Sequence, residues 1–229
     1  MNNKTVIFQN LGRIAFKEAW DYQETIFQAI QDVKTGKSLD KRQYLLFCEH
    51  PHVYTLGKSG SAKNLLISEA FRAEKQIEYF HINRGGDITY HGPGQLVGYP
   101  VIDLEEFDMG IKSYIYHLEE VIIGTLLEYG LEASRLNNAI GVWLDADHPG
   151  KARKICAIGV KTSRFVTMHG FAFNINTNLD YFNYINPCGI TDKGVTSLEK
   201  ELGRSVPFRE VNEKVKVRFQ EVFGMNLIN

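Results

Sequence analysis

The sequence predicts an α+β fold with a mixed or antiparallel sheet and packed helices. Two observations carry this. Its β-like runs come in blocks separated by single long helices, with no regular strand–helix alternation. Its helical stretches show one apolar stripe each, as helices lying on a sheet do. In chain order, "TVIFQNLG" from Thr5 reads as a strand. The stretch from Arg13 to Gly36 reads as an amphipathic helix, with Ile14, Phe16, Trp20, Ile26, Phe27 and Ile30 near one face and Gly36 as its stop. After the polar linker "KSLDKRQ", the run "YLLFCEH" from Tyr44 has the apolar, β-rich character of a buried strand. Residues 77 to 104 then alternate short β-like pieces with glycine. A long helix, Ile111 to Gly130, follows with a stripe of Tyr114, Leu118, Val121, Ile122, Leu126 and Tyr129. The runs "NAIGVWL", "KICAIGVKT" and "VTMHGFAFNIN" read as three more strands, and "FREVNEKVKVRFQEVFG" as a last helix.

Bulk composition narrows the function. Hydrophobic residues make up 44% and charged residues 23% of 229, ordinary values for a globular chain. No internal repeat or low-complexity linker divides it, so residues 1–229 are expected to form a single domain. A net charge of −1 supplies no broad attraction for nucleic acid or an anionic membrane, and neither is expected as a partner. No run approaches the roughly 18 apolar residues of a bilayer span, and the N-terminal residues lack the zones of a signal peptide. With three widely spaced cysteines, an odd number ill-suited to a disulfide framework, the expected location is the cytoplasm.

Several motif look-alikes fail on spacing. "LGKSG" at Leu56–Gly60 lacks the earlier glycine of a phosphate loop, the position being His52. "GGDITYHGPG" does not have the dinucleotide-binding spacing and does not open a helix. Cys156 and His169 lie thirteen residues apart with no second pair, so no metal site and no cofactor are expected.

Two regions hold more chemistry than packing needs. "RGGDITYHGPGQ", Arg84 to Gln95, combines four glycines and a proline with a guanidinium, a carboxylate, a phenol and an imidazole, which suits a main chain brought close to a ligand. In "NPCGI", Cys188 sits between a proline and a glycine and so on a loop, where reactive groups concentrate. A thiol with a pKa of about 8.5 is mostly protonated at pH 7 and needs a neighbouring base or cation to attack. His91, His169 and Lys154 are all candidates for that neighbour, and spacing does not choose among them.

Three segments, "RGGDITYHGPGQLVGYPVIDL", "RKICAIGVKTSRFVTMHGFAFNIN" and "INPCGI", in this order closely resemble the lipoyl(octanoyl) transferase family. The resemblance implies the α+β fold of biotin and lipoate protein ligase catalytic domains. It also implies transfer of an octanoyl group from octanoyl-acyl carrier protein to a lysine of a lipoyl domain, in the 2-oxoacid dehydrogenases or the glycine cleavage H protein. By motif position Cys188 corresponds to the family's thioester nucleophile and Lys154 to the lysine that activates it. Substrate-binding positions fall on Arg84, Gly85, Gly86, Asp87, Ile88, Thr89, Tyr90 and His91, on Ala157, Ile158 and Gly159, and on Gly170, Phe171 and Ala172. Asp87 receives no role of its own. Gly85, Gly86, Gly159 and Gly170 would let backbone close around a narrow acyl slot, and Arg84 with nearby lysines would meet the acidic carrier protein. An ATP-dependent lipoate or biotin ligase, and a non-catalytic binder of carrier or lipoyl domains, are the alternatives.

Overall fold

A computed structural model describes residues 4–148, 150–186 and 193–229. Strand β1 (Thr5–Arg13) leads into helix α1 (Phe16–Lys34), then β2 (Tyr44–Glu49) and β3 (Val53–Leu56). A short helix α2 (Glu69–Glu74) precedes β4 (Glu78–His81), β5 (Ile88–His91) and β6 (Gln95–Val101). Helix α3 (Ile111–Leu127) is followed by β7 (Ala133–Leu136), β8 (Ala139–Leu144), β9 (Arg153–Ser163) and β10 (Val166–Asn174). The chain ends with β11 (Gly194–Val195), α4 (Leu198–Leu202), α5 (Phe208–Phe223) and β12 (Asn226–Ile228).

The principal sheet has the order β12–β1–β2–β6–β10–β9–β8–β7, and β11 pairs with β9 off this path. β12, β1 and β2 are mutually parallel, the pairs from β2 to β7 are antiparallel, and β11 joins β9 in parallel, so the sheet is mixed. Both faces of its centre are covered, which is why β2 reads as an unbroken apolar run. On β2, Leu46 and Cys48 pack against Ala19, Ile26, Phe27 and Ile30 of α1. Leu45 and Phe47 point to the other layer, where Tyr114, Leu118 and Ile122 of α3 meet Val215, Phe219 and Phe223 of α5. The i, i+3, i+4 spacing in each helix puts these side chains on one stripe, and Gly36 and Gly224, both at positive φ, follow the ends of α1 and α5.

The helix stripes differ from expectation at their edges. In α1 the buried row takes in Gln23, while Ile14 precedes the helix and Trp20 is only half-buried. Gln23 belongs inside because its Oε1 accepts the His169 backbone N–H at 3.0 Å. Tyr129 lies beyond α3, and its hydroxyl reaches Glu210 at 3.0 Å.

A second sheet, β4–β3–β5, stands beside the first. Tyr54 on β3 faces Tyr90 on β5 in register, and Tyr181 stacks on Tyr90 with ring centroids 5.0 Å apart. The strand β3 that joins its two neighbours was not foreseen. Its four residues, Val53–Leu56, are all buried, so they carry none of the alternation that marks a half-exposed strand. Among the described residues no helix is long and apolar enough to cross a membrane.

Candidate active site

The register of β9 and β10 brings two of the motif segments together. Gly159 pairs with Gly170, Ile158 with Phe171 and Ala157 with Ala172. The third segment arrives from the small sheet, where the Gly85 N–H donates to Val160 O at 2.9 Å. A Cβ on Gly159 would stand 3.0 Å from Gly85 O and 3.1 Å from Arg84 Cδ, so glycine there lets the Arg84–Asp87 loop lie on β9. The "LGKSG" turn supports that loop from the other side. Its Gly57, Lys58 and Ser59 N–H groups donate to Asp87, Arg84 and Gly86 carbonyls, and a Cβ on Gly57 would come within 2.3 Å of Gly86 O.

Between these elements lies a cavity of about 460 Å³, within the usual range of small-molecule sites. Val97, Ile115, Trp143, Ile158, Val160 and Phe171 give it apolar walls, while Lys154, Asn138 and Lys193 supply polar groups to its lining. Of the expected binding positions, Arg84 to Thr89, His91, Ala157 to Gly159 and Gly170 to Ala172 all line it. Tyr90 does not: its hydroxyl bonds to His52 Nδ1 at 2.7 Å and its ring belongs to the small sheet's own core. The tight contact of Gly170 is also elsewhere than expected. A Cβ there would sit 2.2 Å from Gly98 O, so this glycine serves the packing of β10 on β6.

Arg84 is an interior residue, 7% exposed, and not a surface contact for a carrier protein. Its Nη2 donates to Thr55 O at 2.7 Å and Thr55 Oγ1 at 2.9 Å. A chain of hydrogen bonds continues from there. Gln95 Nε2 donates to Tyr90 O and Asn174 Oδ1, leaving Gln95 Oε1 to accept from His91 Nδ1 at 2.9 Å. His91 Nε2 is then the acceptor facing Thr55 Oγ1 at 3.3 Å. Burial, then His50 and Arg84, lowers the His91 pKa to about 3. His169 behaves alike: its Nε2 lies 2.9 Å from Asn83 Oδ1, and burial, then Arg84 and Lys161, lowers its pKa to about 3. Neutral imidazoles of such low basicity are poor proton acceptors at pH 7. Asp87 holds the loop turn, accepting from Ile88 N at 2.7 Å and Asn64 Nδ2 at 2.6 Å.

Lys154 is the candidate that faces the cavity with a flexible basic group. Its Nζ donates to Ile140 O at 3.1 Å and lies 4.7 Å from the Trp143 ring centroid. Cys188 lies outside the described residues. On the two sides of its segment, Phe182 and Lys193 line the cavity, and Val195 pairs with Lys154 itself. The other thiols, Cys48 and Cys156, are buried, which pushes both pKa values up and leaves them inert. Trp143, Gln95 and Asn174 were not singled out from the sequence. Gln95 alone had a signal, as the last residue of the glycine-rich motif.

The apolar cavity, with a lysine in its wall, thus lies beneath a glycine-rich loop laid over a mixed sheet. The chain belongs to the family of lipoyl protein ligase A/B catalytic domains, whose family model matches residues 15–220. It is 57% identical to an octanoyltransferase of Parabacteroides distasonis over 95% of this chain and 98% of the relative, and 54% identical to one of Christiangramia forsetii over 98% of each. In fold it is similar to lipoate-protein ligase A bound with ATP, with a TM-score of 0.69 at 17% identity over 100% of this chain and 90% of that one. A bi-partite lipoate protein ligase from Thermoplasma acidophilum aligns with a TM-score of 0.67 at 15% identity, over 100% and 88%.

Proposed function

We propose that the protein is an acyltransferase that moves an octanoyl group from octanoyl-acyl carrier protein to a lysine of a lipoyl domain, in lipoate biosynthesis in the cytoplasm. The observation that carries this reading is the identity above one half, over nearly the whole chain, to octanoyltransferases. The apolar cavity with Lys154 in its wall supports it, since each methylene withdrawn from water contributes about 0.8 kcal/mol.

In this mechanism the Cys188 thiolate attacks the thioester carbonyl of the donor. The bond to the carrier's sulfur breaks, that sulfur leaves as a thiol on taking a proton from the Lys154 ammonium, and an octanoyl thioester forms on Cys188. The lysine amine of the acceptor then attacks the enzyme thioester. The amide forms, Cys188 leaves as thiolate, and Lys154 takes the proton lost by the amine. Backbone N–H groups of the glycine-containing segments stabilise the oxyanion, a donor of this kind being worth roughly 2.7 to 4 kcal/mol. Both steps exchange an already activated acyl group, so ATP is not consumed.

Intact-protein mass spectrometry tests the route. Mixed with octanoyl-carrier protein without ATP, the enzyme gains one octanoyl group, mapped to Cys188 and discharged by a lipoyl domain. An adduct formed equally by Cys188→Ser, or turnover that requires ATP and free octanoate, sinks this mechanism in favour of the ligase.

A further inference from the structure

The wall that holds Lys154 is built by an irregularity in the sheet. Pairing between β8 and β9 runs Val142 with Cys156 and then Trp143 with Lys154, so Ile155 is left over on β9. Such a bulge breaks the alternation of faces. Ile155 and Cys156 are accordingly both buried in the core cluster beneath α3, while Lys154 and Ala157 on either side line the cavity. Regular pairing would set Ile155 opposite Trp143 and turn Lys154 toward the core.

Trp143 is held rigidly: it is 2% exposed, and its indole N–H donates to Ala139 O at 2.8 Å. Its ring face is therefore fixed 4.7 Å from Lys154 Nζ. Gly141, at φ +127°, shapes the strand so that the neighbouring Ile140 carbonyl meets the same nitrogen, and a Cβ there would stand 2.5 Å from Cys156 O. The Gly141 N–H is anchored on Glu119 Oε1 at 3.0 Å. An aromatic face attracts a lysine side chain only as the cation, and a carbonyl accepts more strongly from a charged donor.

The geometry points to Trp143 as a positioning residue that, with the Ile140 carbonyl, holds Lys154 as an ammonium in the free enzyme. Lys154 then meets the thiol of the first step as a cation, gives its proton to the departing carrier sulfur, and is left as the neutral amine that accepts the proton of the incoming lysine. This rests on the reading of Lys154 as the activating lysine. Among the described residues, the other charged and titratable groups nearby are Glu119, paired with Arg135 at 2.9 Å, Lys193 in the cavity lining, the buried Cys156 thiol, and Arg153, turned to Glu201 and Asp145.

Protein labelled with ¹³C at the lysine ε-carbon, titrated by NMR from pH 6 to 12, reads the Lys154 midpoint directly, the signal being assigned by its absence in Lys154→Met. Trp143→Leu lowers that midpoint by about one unit, a tenfold change in the ammonium-to-amine ratio, and Trp143→Phe, which keeps a weaker face, lowers it less. An unchanged or raised midpoint in Trp143→Leu overturns the proposal. Should that variant not fold, an unchanged or raised midpoint in Trp143→Phe does so. The readout needs no turnover. Full transferase activity in Lys154→Met would defeat the role assigned to Lys154 and leave the midpoint shift standing.

Discussion

Lowering the pH from 7 to 5 should destabilise this fold by several kcal/mol, and three buried imidazoles set the size of the effect. His50 donates from Nδ1 to Ile14 O at 2.8 Å and accepts from the Tyr99 hydroxyl at 2.7 Å; burial lowers its pKa to about 4. His91 and His169 are lowered to about 3, again chiefly by burial. Folded values below the unfolded 6.5 mean that between about pH 6.5 and 4 the unfolded chain binds protons that the folded chain refuses, so stability rises with pH across this window. At pH 5 nearly three protons separate the two states, a slope of about 4 kcal/mol per pH unit, and the loss from pH 7 to pH 5 comes to about 2 kcal/mol per histidine. The sum, about 6 kcal/mol, is comparable with the whole stability of many domains. Carboxylates held low by arginine or lysine, such as Glu201 beside Arg153 and Glu128 beside Lys214, lose their share only as the pH falls below their ordinary range, so they do not blur this window. Urea unfolding followed by circular dichroism at pH 8, 7, 6.5, 6 and 5.5 gives the proton uptake from its slope. An uptake below one proton between pH 6.5 and 5.5 would show that these imidazoles are not held neutral, and the argument from burial would fail.

Two further substitutions separate scaffold from substrate contact. Gly170→Ala places a Cβ against the backbone of Gly98 and Pro100 Cδ at 2.8 Å, and should cost about 2–4 kcal/mol in denaturant unfolding. A KM effect with unchanged stability would return this glycine to the acyl slot. Thr55→Val removes the hydroxyl between Arg84 and His91 and should cost about 1–3 kcal/mol, since a buried donor loses one of its acceptors. Stability within about 0.5 kcal/mol of wild type, the range of surface substitutions, would mean the chain of bonds is unimportant.

The sequence by itself determined the long elements, because their signals are local. A stripe such as Val211, Val215, Phe219 and Phe223 requires a helix with one buried face whatever lies against it. An unbroken run such as Leu45–Cys48 likewise requires a strand covered on both sides. The motif segments were legible too, since glycines clustered among reactive side chains have few other uses. Tertiary structure alone decided which faces meet. The pairing of Gly159 with Gly170 joins residues eleven apart through a hairpin register, and the cavity takes shape when the Arg84–Asp87 loop crosses from another sheet. It also decided that Arg84 is interior, that Tyr90 turns to the small sheet, and that Lys154 lines the cavity. The last follows from one surplus residue, Ile155, in the pairing of β9 with β8. Periodicity along a chain fixes which side of an element is apolar, whereas register and bulges arise between elements, where a shift of one residue exchanges the two faces.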